Sequence, residues 1–145
     1  MFEIIVTVLI GVLGGVAVGI QAPIAGAMSQ RVGAAACSLI VHVSGAIAAL
    51  MVLVLRGGEN IQNWYTLSWY MLGSGVFGVV LHLTLSHTIP RLGATTAIVL
   101  IIVGQLTMGM LIDQFGLFGV APRPIDQWRM LATILLIAGT YLMIQ

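Results

Sequence analysis

Charge is what this sequence has least of. Five arginines, four acidic residues and no lysine stand among 145 residues, so the charged share is 6% where soluble domains carry ~25%. So few ionic groups cannot cover a globule with polar surface, which excludes a water-soluble fold. The net charge of +1 comes with no basic cluster, which excludes a nucleic-acid footprint. The lone Cys37 excludes an internal disulfide, and no second thiol near it suggests a metal site or a redox compartment. Paired carboxylates, a metal-spaced cluster and a serine with base and orienting acid are all missing as well. That leaves no signature of an enzyme, a cofactor or a metal.

What is present is apolar. Hydrophobic residues make up 60% of the chain and the mean hydropathy is +1.15. An ionised side chain at the bilayer centre is costly, so the uncharged gaps measure candidate spans. They run 4–30, 32–55, 60–90, 92–112 and 130–145, against the ~20 apolar residues a spanning helix needs. The gaps predict an all-α, polytopic membrane protein: one transmembrane domain, 1–145, with five helices at about 4–29, 34–55, 69–88, 94–114 and 128–144. Gly33, Gly57 and Gly58, Pro90 and Gly93, and the stretch from Gly116 to Pro124 punctuate these runs, so the connections are short. All three Trp (64, 69, 128) and all three Tyr (65, 70, 141) fall near span ends, where amphipathic rings suit the headgroup layer. Near the N-terminus, Glu3 and the length of the apolar run argue against a cleaved signal peptide.

Five spans put the termini on opposite sides, so arginines can be sorted by face. Arg56, Arg123 and Arg129 lie on the N-terminal face and Arg31 and Arg91 on the other. A bias of three against two gives almost no instruction about orientation. The expectation is that the chain inserts both ways and that two copies pair head to tail. There is also no internal repeat, whereas many secondary transporters hold two inverted units with the substrate path between them. An antiparallel homodimer would restore that arrangement about an axis in the membrane plane. A monomer with a weak bias is the alternative.

The helices carry faces unsuited to lipid. Helix 1 has Gly11, Gly15 and Gly19 at spacing four, a ridge for close helix packing, followed by Gln21 and Pro23. Proline frees the carbonyl of Gly19 and predicts a kink, and a polar amide there must face protein or a cavity. Helix 2 sets Ser38, His42, Gly45, Ala46 and Ala49 on one face. Helix 3 aligns Ser74, Gly78, His82 and Ser86. A neutral histidine both donates and accepts, and its reference pKa near ~6.5 makes it a candidate proton carrier; a satisfied structural hydrogen bond is the competing reading. Helix 4 aligns Gly93, Ala97, Gln105, Gly109 and Asp113. Asp113 falls in a last turn, where the helix dipole disfavours an anion, and so calls for a cationic partner or water. Gln21, His42, Ser74, His82 and Gln105 are thus the candidate cavity residues. Gly11, Gly15, Gly19, Gly78 and Gly109 are packing positions, and Asp113 is half of a structural ion pair.

These residues resemble a known family. Gly19-Ile20-Gln21-Ala22-Pro23-Ile24, Arg91-Leu92-Gly93-Ala94-Thr95-Thr96, Gly104-Gln105 and Asp113-Gln114-Phe115-Gly116-Leu117-Phe118-Gly119, in that order, are similar to the YdcZ-type small five-helix proteins of the drug/metabolite transporter superfamily. Those proteins are related to the half-repeat of larger ten-helix transporters. The resemblance covers nearly the whole chain. It implies small-molecule transport across a bacterial inner membrane, with single-domain members working as antiparallel pairs. It also implies that Gln21 and Gln105 are polar family positions and that the Asp113 motif is a structural corner. The chain departs from the pattern at Ala25, where the family often has Asn. It also lacks the membrane-embedded Glu in the first helix of the related four-helix multidrug exporters. With no carboxylate near mid-membrane, neutral or zwitterionic cargo fits better than a permanent cation. The competing function is a non-transporting scaffold or accessory subunit whose glycine ridges serve association alone.

Overall fold

The computed structural model describes residues 1–144, and the chain is almost wholly helical. Its elements are α1 (Phe2–Val32), α2 (Ala34–Leu55), a 3-10 turn (Ile61–Thr66), the single turn α3 (Trp69–Leu72), α4 (Gly75–Phe115), a second 3-10 turn (Leu117–Gly119) and α5 (Gln127–Ile144). Four stretches have the length and composition to cross a membrane, one of them 47 residues long, Trp69–Phe115. At ~1.5 Å per residue, the 41 residues of α4 are long enough for two crossings of a ~30 Å core. The spans therefore number four, or five when α4 is counted as two.

The division within α4 is at Gly93, which alone leaves helical geometry, with φ 78 and ψ 162. The separation expected at 89–93 thus narrows to one residue. Pro90 lies inside the helix, three residues before that break; its fixed φ suits a helix, and the helix continues past the backbone bond it forfeits. The third expected helix also differs at its start, because Gly73 and Ser74 form a turn between α3 and α4. In α1 the helix continues through Pro23 without a break. Gly33 joins α1 to α2 with φ 87 and ψ 155; its N–H donates to Ser29 O at 2.9 Å and its carbonyl accepts from Cys37 at 2.9 Å. Gly33 and Gly93 both occupy a region of backbone space open essentially to glycine alone.

The chain forms two compact units, Met1–Pro90 and Arg91–Gln145 by its residue limits. The first is held by small side chains. Ala22, Ala25, Gly26 and Ser29 of α1, Cys37 and Ser38 of α2, and His82, Leu85 and Ser86 of α4 are its buried residues. On α1 and α4 they recur at helical spacing of three and four, so each of these helices offers one narrow face. The Cys37 thiol donates to Ala25 O at 3.2 Å. Ile89 sits over Gly26, its Cδ1 and Cγ2 3.0 Å from where a Cβ would be. This is close approach by small residues, as in membrane helix pairs.

The second unit is a helical hairpin. Thr96 Oγ1 donates to Met143 O at 3.4 Å, Thr133 Oγ1 lies 3.4 Å from Met110 Sδ, and Arg129 pairs with Asp113. As one number rises the other falls, so residues 94–115 and α5 run antiparallel. The large apolar side chains of both units face outward, the inverse of a soluble core and the arrangement lipid requires.

Candidate functional site

In the first unit, α2 and α4 bring His42 and His82 together. Their ring centroids are 5.2 Å apart, with planes at 67°, an edge-to-face arrangement. The two are wired alike. His42 Nδ1 lies 2.7 Å from Ser38 O, with Ser38 Oγ at 3.4 Å, and His82 Nδ1 lies 2.9 Å from Gly78 O. A carbonyl oxygen only accepts, so in both rings Nδ1 carries the proton and donates. The neutral rings are therefore Nδ1–H tautomers that leave the Nε2 lone pair available. Gly78 serves both histidines. Its carbonyl fixes His82, and a Cβ on it would fall 2.7 Å from His42 Nε2, so the absence of a side chain makes room for that nitrogen.

In the second unit, residues 94–115 and α5 enclose an open cavity of about 580 Å³, whose lining includes Ile102, Gln105, Leu106, Gly109, Asp113 and Arg129. That is within the ~300–1,000 Å³ usual for small-molecule sites. Gln105, Gly109 and Asp113 are four residues apart and so share one stripe. Arg129 Nη1 donates to Asp113 Oδ2 at 3.1 Å, with each side chain about one third exposed. The cavity thus offers an amide, a self-balanced ion pair and apolar walls.

The loop below the ion pair is closely tied. Asp113 O accepts from Arg123 N–H at 2.7 Å, and Gln114 Oε1 accepts from Ile125 N–H at 2.7 Å. Gly116 is left-handed at φ 61, and a Cβ there would fall 2.8 Å from Pro122 Cγ. Asp126 caps α5, its Oδ1 accepting from Arg129 N–H at 2.8 Å, the usual role of an aspartate three residues before that amide. Asp126 was absent from the sequence-based candidates, although an acid directly ahead of an apolar run is the standard signal.

The remaining positions sit apart from these two groups. Gln21 is exposed on α1, and Ser74 is exposed in the turn before α4, donating to Met71 O at 2.8 Å. A Cβ on Gly11, Gly15 or Gly19 would meet nothing within 4 Å, and the same holds for Gly109, which lines the second unit's cavity. Among the described residues, no three His, Cys, Asp or Glu side chains converge on a metal-sized site.

Helices long and apolar enough to cross a membrane, with their large apolar side chains exposed and polar groups set among them, define a polytopic membrane protein. The model of the DMT_YdcZ family, described as the proposed inner membrane exporter YdcZ, matches residues 6–142, and the chain belongs to that family. No curated protein and no solved structure matches the chain.

Proposed function

We propose that the chain is one half of an inner-membrane exporter, completed by a second, inverted copy, that moves a small neutral or zwitterionic amphipathic compound by alternating access. The observation that carries this reading is membership of the exporter family over residues 6–142. The near-even arginine count, three against two, supports insertion in both orientations. The glycines of α1 at 11, 15 and 19, which meet no neighbour within the chain, are suited to a helix of the partner. The net-neutral lining of the Gln105–Asp113–Arg129 cavity supports cargo without net charge, since a lone charge would find its counter-ion already engaged.

The test is uptake of labelled amphipathic zwitterions and neutral compounds into vesicles carrying the purified protein. Saturable uptake that falls with Gln105→Ala is expected. A protein that pairs with itself yet moves no compound would be a scaffold, the reading favoured if the open glycine face serves association alone.

A further inference from the structure

The two histidines of the first unit are more closely matched than a pair of structural hydrogen bonds requires. Each commits Nδ1–H to the carbonyl four residues back in its own helix, and each leaves Nε2 without a hydrogen bond among the described residues. On the buried faces of α1, α2 and α4 in this unit, the only other titratable group is the Cys37 thiol, which donates to Ala25 O. Glu3, Arg31, Arg56, Glu59 and His87 are exposed.

We propose that His42 and His82 form one proton-binding site, which takes up a single proton from water at Nε2 of either ring and so ties protonation to the packing of α2 on α4. The new bond is Nε2–H, and the product is one imidazolium protonated at both nitrogens beside one neutral ring. The edge-to-face contact at 5.2 Å suits a proton on the ring that presents its edge, because the electron-rich face of the neutral ring accommodates a cationic edge. A second proton would set two cations against each other at the same separation. Gly78 links the two halves of the site, since its bare Cα admits His42 Nε2 and its carbonyl holds His82. Any slide of α2 along α4 alters both rings at once. On the exporter reading, which this last consequence alone rests on, export would be linked to protons through this pair.

The test is nitrogen-15 NMR of the full-length protein, labelled at histidine and held in lipid nanodiscs, with His87→Gln as background. At alkaline pH both rings should report the Nδ1–H tautomer. On acidification the pair should gain one proton, with the Nε2 signals of both rings moving in a single step. His42→Gln and His82→Gln should each still gain one proton, and the double variant none. Gly78→Ala, whose methyl displaces His42 Nε2, should raise uptake to two, with helix content by circular dichroism showing that the fold persists. Two independent steps in the parent protein, Nε2–H tautomers, or no uptake would each overturn the proposal. Because no cargo is used, failure of transport leaves this result standing, and the reverse also holds.

Discussion

Gly116 is the position where a single methyl group meets the most resistance. Its φ of 61 is left-handed, and the added carbon would lie 2.8 Å from Pro122 Cγ, in a ring that cannot rotate away. Left-handed backbone costs a non-glycine residue ~1–2 kcal/mol, and overpacking adds a similar amount. Gly116→Ala should therefore lower stability by about 2–4 kcal/mol, measurable as earlier unfolding in detergent. The ion pair above it is worth less. Asp113 and Arg129 are each about a third exposed, and such pairs contribute roughly 0.2–1 kcal/mol. Arg129→Met should cost about that much in stability, while the Asp126 cap persists because it uses the backbone N–H of residue 129. A loss of several kcal/mol would show that this pair is far better shielded than its exposure implies.

Among the elements, the two glycine joints control how the helices are divided. Gly33 and Gly93 share nearly the same backbone angles, φ 87, ψ 155 and φ 78, ψ 162, and any other residue there bears ~1–3 kcal/mol of strain. Gly93→Ala should either destabilise the protein by that amount or draw residue 93 into the helix. The carbon-13 shifts of residue 93 distinguish these, since a helical Cα shift there appears only if the residue has joined the helix. Both joints were legible in the sequence because each glycine ends an apolar run beside an arginine. The helix through Pro90 was not, since proline's fixed φ fits a helix interior when one lost bond is tolerated. The 3-10 turn Ile61–Thr66 was also missed, because Trp64 and Tyr65 identify an interface without fixing a local conformation. The site shows the same boundary. His42 and His82 were each placed on a small polar face by helical spacing, but their meeting over Gly78 depends on which faces of α2 and α4 pack, and spacing within one helix carries no such information. Ser74 fitted the stripe of the third expected helix, yet its register is lost to the turn at Gly73 and Ser74.

For the molecule as a whole, the proposed antiparallel pair makes demands that a single chain does not. Within the chain, Gly15 has open space around its Cα, and alanine is a better helix former than glycine by ~1 kcal/mol. Gly15→Ala should leave the subunit as stable or slightly more so, while weakening self-association if that ridge receives the partner. Orientation gives the stronger test. A bias of one arginine is all that separates the two faces, so two added arginines in the 57–60 connection should drive every copy one way, and two added beside Arg31 should drive every copy the other. Reporters fused at the C-terminus would read the orientation. Each biased variant alone would hold only like-oriented subunits and should lose transport. Expressed together, the two should regain it, because opposite subunits are again available. Full activity from one fixed orientation would remove the inverted partner from the mechanism and leave a single chain, or a parallel pair, to form the path.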